Sequence, residues 1–225
     1  MQFSEANLHR CRVKVCGVRD PLEAEALEAM QVDWIGFNFY PGSPRYLPPE
    51  AAAPMVSNLH RAMPVGVFVD ADPEEVIRII QITGIRYVQL HGHEDWDYVM
   101  KMPVPVIKAI PHDRLADLGG LRDSLAGSKE RVNPLAYFLV DTQASKSGSG
   151  FGGSGKSFDW GMLAHHTIPL PYFLAGGLGP ENLAQALASS KPFAVDLNSK
   201  VETSPGRKDL EKVKACVDMA HGKIP

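Results

Sequence analysis

Short runs of apolar, β-branched and aromatic residues recur along the whole chain, at Val13–Cys16, Trp34–Phe39, Val65–Val69, Tyr87–Leu90, Val104–Ile110, Tyr137–Val140, Tyr172–Ala175 and Phe193–Leu197. Each is too short for a helix and has the length and composition of a buried strand. Between them lie segments with helical start signals and a helical period. Asp20-Pro21 opens LEAEALEAM with a capping-type aspartate and a proline at the first helical position. Pro48-Pro49-Glu50 does the same for AAAPMVSNLHRAM, which runs to Met63, and Asp72-Pro73-Glu74-Glu75 for VIRIIQIT. Gly179-Pro180-Glu181 opens NLAQALASS, and Asp209 opens LEKVKACVDMA, stopped by His221-Gly222. Weaker patterns predict a short helix over Asp95–Lys101, another over Arg114–Ser128, and one carrying His165-His166.

Strand and helix thus alternate without a linker or a shift in composition, so the pattern predicts one domain over residues 1–225. Alternation of this kind implies a parallel sheet covered by helices. Eight such units can close into a single (β/α)₈ TIM barrel. A doubly wound open sheet is the other arrangement the pattern allows. The stretch Ala144–Gly155, ASKSGSGFGGSG, is too rich in glycine for a helix and reads as a loop.

A barrel would collect its chemistry at the C-terminal ends of the strands. The polar residues falling there are Lys14 and Cys16, Arg45, Asp70, Gln89 and His91, Lys108, Asp141, and Asp196 with Asn198 and Ser199. Glycine-rich loops join them: Gly152-Gly153-Ser154-Gly155 after the sixth strand and Gly176-Gly177 after the seventh. Glycines let backbone N–H groups converge on an anion, so these loops, with Asn198 and Ser199, predict a phosphate site. GFGGSGKS at 150–157 also matches the Walker A pattern letter for letter. Its setting is wrong for a nucleotide site, because a further stretch separates it from the strand and only two strands follow.

Each reacting group has a plain reading beside the chemical one. Cys16 is either a small buried hydrophobe or a low-pKa thiolate acting as base or nucleophile, with Lys14 nearby. Asp141 closes FLVD as a loop cap or a general acid, and Asp70 and Asp196 close apolar strands equally well. Arg45, in the proline-stiffened YPGSPRY, is a surface arginine or a bidentate clamp for a carboxylate. His91 is a ligand contact or a strand-end histidine. No His, Cys and carboxylate set has metal-ligand spacing, so no metal is expected.

Composition narrows the partners. The 225 residues carry a net charge of -3 and no long run of one sign, which speaks against nucleic acid and anionic membranes. Three cysteines are too few for a disulfide scaffold and point to a reducing compartment. The first residues lack an apolar signal core and no stretch approaches a membrane span, so a cytoplasmic protein with a small-molecule partner is expected, as monomer or homodimer.

Taken in order, KVCG at 14–17, GFNFYPGSPRY at 36–46, QLHG at 89–92, DT at 141–142, GGSGKSFDW at 152–160, LAGGL at 174–178, and DLNSKVE with PGRKD at 196–209 resemble the motifs of the phosphoribosylanthranilate isomerases of tryptophan biosynthesis. The resemblance covers nearly the whole chain. It implies a cofactor-free Amadori rearrangement of N-(5-phosphoribosyl)anthranilate to 1-(2-carboxyphenylamino)-1-deoxyribulose 5-phosphate. It further implies Asp141 as general acid, Cys16 as base, Arg45 on the anthranilate carboxylate, Lys14 and His91 as substrate contacts, and a phosphate grip from Gly152–Gly155, Gly176-Gly177 and Ser199. Asn198-Ser199-Lys200 departs from the family's usual Ser-Ser-Gly-like run, which leaves Asn198 and Lys200 without an assigned role. Residues alone also admit another phosphosugar isomerase or epimerase, or a non-catalytic phosphosugar-binding barrel.

Overall fold

The computed structural model describes residues 10–120, 133–142 and 159–223. Eight parallel strands, β1 (Arg12–Cys16), β2 (Trp34–Asn38), β3 (Met63–Phe68), β4 (Tyr87–Leu90), β5 (Val106–Pro111), β6 (Leu135–Asp141), β7 (Tyr172–Ala175) and β8 (Ala194–Leu197), close in sequence order into a barrel. The seam between first and last strand is complete, with Arg12 opposite Ala194 and Val15 opposite Leu197. This is the TIM barrel of the sequence pattern, and the open sheet is excluded.

The strands read as nearly unbroken apolar runs because both of their faces are buried. One set of side chains, including Val13, Val15, Ile35, Leu90, Phe138, Leu174 and Val195, packs beneath the helices. The alternate set, Trp34, Val65, Ile107, Ala109, Leu139, Phe173, Ala175 and Ala194, fills the interior. Trp34 meets Phe173 edge-on at 4.9 Å between ring centres, and Tyr137 lies 5.3 Å from Phe173 and 5.1 Å from Phe193. This aromatic plug forms a dry floor on which the polar end of the barrel rests.

The helices are α1 (Pro21–Ala29), α2 (Pro49–Ser57), α3 (Pro73–Thr83), a single turn α4 (Trp96–Val99), α5 (Leu183–Ser190) and α6 (Leu210–Ala220). The predicted caps form. Asp20 accepts from the Leu22 N–H, Asp72 from that of Glu74, and Asp209 from that of Lys212. A hairpin of β9 (Glu202–Ser204) and β10 (Arg207–Lys208) turns at Gly206, whose φ of +81° suits glycine.

Three expected helices differ. The one predicted to run on to Met63 stops at Ser57. The reason lies in α1: one Glu28 oxygen accepts the consecutive N–H groups of His60, Arg61 and Ala62, which bends the chain into β3 instead of continuing the helix. Of Arg114–Ser128, the described part belongs to a 3₁₀ segment, His112–Gly120, and residues 121–128 lie outside the described residues. His165 ends a 3₁₀ turn, Trp160–His165, and His166 beyond it is extended, so no α-helix carries the pair. The Ala144–Gly155 stretch lies outside the described residues.

Glu28 also gives a test. Burial opposes its ionisation, but the three N–H bonds prevail and hold its carboxyl below the usual range. A carboxyl whose folded pKa is depressed stabilises the fold above its unfolded pKa, and that contribution disappears as pH falls through the folded value. Glu28→Ala is therefore expected to lower unfolding stability by about 1–2 kcal/mol at neutral pH. In urea titrations the gap to wild type should shrink as the solution is acidified below the carboxylate range; a gap that persists in acid would refute the ionised contact.

Candidate active site

Period-two alternation decides which strand-end side chains can share a site. On β1, Lys14 and Cys16 fall in phase with interior residues, since Lys14 stands opposite Trp34. Asp196 on β8 is opposite Lys14, Gln89 on β4 is opposite Ile107, and Asp141 on β6 is opposite Ala175. These residues form a polar layer above the aromatic floor. Lys108 has the other phase, opposite Leu90 and Phe138, and its ammonium goes to Glu94 at 2.6 Å and to the Gly92 carbonyl at 2.8 Å. Asp70 lies two residues beyond β3 in a bend with a φ of +49°, and it is tied to His93 by the ring nitrogen at 3.0 Å and by the backbone N–H. Strand phase, and for Asp70 the bend beyond β3, thus separate the three aspartates that sequence alone left equivalent.

Lys14 is wholly buried, and both Asp196 oxygens lie 2.9 Å from its Nζ. Burial alone would discharge the lysine, yet the facing carboxylate raises its pKa above the ordinary value. Asp196 is therefore committed to Lys14. Asp141 faces His91, with Oδ2 3.5 Å from Nε2. The Gln89 amide lies 2.9 Å from the other ring nitrogen, Nδ1, so the imidazole is held between Gln89 and Asp141.

Cys16 does not have the low pKa expected of it. Its side chain is buried, and burial pushes the thiol up; Lys14 and Lys208 pull it down, Asp196 pushes it up again, and the net shift is upward. The ligand-free protein therefore holds a thiol, one with positive charges close at hand.

Arg45 makes the bidentate bond anticipated for it, but to a carboxylate of the chain itself. Its Nε lies 2.9 Å from Glu202 Oε1 and its Nη2 2.6 Å from Oε2. Glu202 also accepts from Lys208 Nζ at 2.7 Å and from the Gly206 N–H at 3.1 Å. The arginine stem crosses Gly17, where φ is +75° and an added Cβ would meet Arg45 Cδ at 2.5 Å. Any side chain at 17 would displace the guanidinium from its place beside Cys16.

On the phosphate side, Gly176 and Gly177 both have positive φ, 105° and 66°. The carbonyls of Ala175 and Gly176 accept from the Thr142 hydroxyl, and that of Gly177 from the Asn182 amide. Their own N–H groups donate to no other described residue. Asn198 is turned to the hairpin, accepting from Lys208 at 3.2 Å, while Ser199 is exposed and opens a 3₁₀ turn. Lys200 pairs with Glu181 at 3.4 Å on the surface. Gly152, Gly153, Ser154 and Gly155 lie outside the described residues.

Sequence reasoning passed over Glu202 and Lys208. Their signal was present in DLNSKVE and PGRKD: opposite charges flanking a Ser-Pro-Gly turn, which the hairpin brings into register. Glu94 had no comparable signal, since its role follows from the phase of Lys108.

All three cysteines are expected to react slowly in the folded protein. Burial raises Cys11 and Cys216 to about 12, and Cys16 is also raised. Iodoacetamide at mildly alkaline pH should label each far more slowly than an exposed model thiol, with full labelling on unfolding, as read by mass spectrometry. Rapid selective labelling of Cys16 would show that the resting group is a thiolate.

Comparison with known proteins agrees with this geometry. Residues 13–219 match the family model described as N-(5'-phosphoribosyl)anthranilate isomerase. The enzyme of that name from Myxococcus xanthus is 39% identical over 211 residues, covering 93% of this chain and 95% of that one. The crystal structure of phosphoribosyl anthranilate isomerase from Thermotoga maritima superposes with a TM-score of 0.81 at 33% identity, covering 94% of this chain and 99% of that one. A crystal structure of phosphoribosyl anthranilate isomerase in complex with reduced 1-(o-carboxyphenylamino)-1-deoxyribulose 5-phosphate gives a TM-score of 0.78 at 30% identity, with the same coverage.

Proposed function

Because the chain belongs to the N-(5'-phosphoribosyl)anthranilate isomerase family, we propose that Cys16 and Asp141 are the base and acid of its reaction and that Arg45 receives the carboxylate of its substrate. The activity is the isomerisation of N-(5'-phosphoribosyl)anthranilate in tryptophan biosynthesis, an Amadori rearrangement. The observation that supports these assignments best is one of placement. Cys16 and Asp141 both face the interior at the strand ends, three strands apart around the barrel, with Arg45 beside the cysteine.

The substrate has an anion at each end, and the site offers a receptor for each. The paired left-handed glycines after β7 suit the phosphate, as do the glycines at 152–155. The guanidinium after β2 suits the carboxylate. Held at both ends, the ribose lies across the mouth between β1 and β6, and fixing it there removes much of the entropic part of the barrier. Asp141 gives a proton to the ring oxygen, the C1–O bond breaks, and the nitrogen lone pair forms the C1=N bond. Cys16 as thiolate takes the C2 proton, the released electron pair forms C1=C2, and the C1=N π pair returns to the nitrogen. The resulting enol then tautomerises to the ketone. Lys14 contributes through Cys16, holding positive charge beside the developing thiolate, and His91 contributes through Asp141.

The reading requires no cofactor and takes residues 1–225 as one catalytic domain. A cytoplasmic setting is consistent with it; among the described residues, no helix is long and apolar enough to cross a membrane. Of the barrel strands only β7 and β8 follow the Walker-like segment, and they complete the barrel, which leaves no nucleotide-binding sheet downstream among the described residues.

The direct test follows the loss of anthranilate fluorescence when the protein meets phosphoribosylanthranilate. Cys16→Ala and Asp141→Asn should each cost roughly 10²–10⁴-fold in turnover with the fold intact by circular dichroism. Arg45→Ala should cost on the order of 2–5 kcal/mol in kcat/KM. A Cys16→Ala variant turning over at the wild-type rate would remove the cysteine from the mechanism.

A further inference from the structure

The buried carboxylate on Arg45 raises a question that the proposed reading leaves open: whether the substrate displaces Glu202 or binds beside it. We propose that Glu202 is a positioning residue that keeps its bond to Arg45 throughout the cycle, so that the guanidinium meets the substrate carboxylate with its remaining edge. The inference rests on the reading of Arg45 as the carboxylate receptor.

Four observations carry it. First, a guanidinium has five N–H donors, and Glu202 engages the edge formed by Nε and Nη2. The edge formed by Nη1 and the second Nη2 hydrogen bonds no other described residue and can hold another carboxylate end-on. Second, Glu202 cannot readily move. Its side chain is 4% exposed, and Oε1 accepts from Arg45, Lys208 and the Gly206 N–H together. Third, the arginine is fixed from its own side, its stem lying across Gly17 and its backbone N–H bonded to Ser43 Oγ at 3.1 Å.

The fourth observation is charge. Arg45, Lys208 and Glu202 sum to one net positive charge at a site that receives an anion. Releasing Arg45 would leave Glu202 buried with Lys208 alone and would require the substrate to outcompete an internal, desolvated carboxylate. Adding the substrate carboxylate to the free edge instead neutralises the cluster. Glu202 thus fixes the direction of Arg45 without touching substrate.

The two arrangements predict opposite signs, which makes them separable. The probes are the reduced product analogue bearing the carboxyphenyl group and the same compound with an unsubstituted phenyl group, each titrated as an inhibitor. Glu202→Gln places an amide N–H against Nη2 and breaks the bidentate bond. It should weaken the carboxyphenyl ligand by about tenfold, with the phenyl ligand within about twofold and kcat little changed against a raised KM. The double variant Glu202→Ala/Lys208→Met removes both charges together, avoids a lone buried ammonium, and should repeat the loss. If either variant binds the carboxyphenyl ligand as well as or better than wild type, Glu202 competes with substrate and the inference is wrong. Equal loss of both ligands would mean general damage to the site and would overturn it too. Arg45→Ala separates the two levels: if it leaves discrimination between the ligands intact, the reading of Arg45 falls and this inference with it. If Arg45→Ala abolishes discrimination while both Glu202 variants keep it, only the inference fails.

Discussion

A lysine with no access to water lies in the seam where the first strand of the barrel meets the last. Lys14 and Asp196 face each other there, bonded twice at 2.9 Å. Removing two charges from water costs several kcal/mol, and the pair is tolerable only because each partner satisfies the other. Its position has two consequences. The bond joins β1 to β8 directly beneath the site, so closure of the barrel and construction of the polar layer are one event. It also places an ammonium two residues from Cys16, where with Lys208 it opposes the effect of burial on the thiol.

The same economy governs the remaining charges. Arg45 and Lys208 share Glu202, and Lys108 is taken by Glu94. Among the described residues, Lys14, Arg45 and Lys108, which sequence would nominate for an anionic substrate, each already have an internal acid. What the ligand receives is an arrangement of oriented donors, not a set of loose positive side chains. Groups fixed before the ligand arrives need little reorganisation when charge develops, which is where an enzyme gains most from electrostatics. The hairpin β9–β10 belongs to this arrangement although it lies outside the barrel sheet, because it brings Glu202 and Lys208 to the arginine.

Period and punctuation made the barrel legible. Runs such as Tyr172–Ala175, and caps such as Asp20 and Asp72, are local signals, and local physics was enough to form them. The site was legible in its residue types but not in its partners. Asp70, Asp141 and Asp196 end apolar runs in the same way, and only the fold shows that one is bonded to His93 in a bend, one is bonded to a lysine and one faces His91. Glu28 stopped α2 from a distance of more than thirty residues in sequence, and nothing within AAAPMVSNLHRAM announced it. Arginine in YPGSPRY was recognisable as a carboxylate clamp; that its first carboxylate would be Glu202 depended on a contact between residues 157 positions apart.

The raised pKa of Cys16 bears on how the proposed pair would share protons. The reaction needs Asp141 with a proton and Cys16 without one. Burial favours the thiol, and the positive charges of Lys14 and Lys208 oppose burial. A thiolate generated under those conditions is a stronger base than one with a low pKa, at the cost of a smaller population. Exposure divides the roles in the same direction. Asp141 is about a quarter exposed and Cys16 is nearly dry, so the proposed acid has an access to water that the proposed base lacks. The barrel thus gives the proposed acid and the proposed base different surroundings, one open to water and the other closed to it.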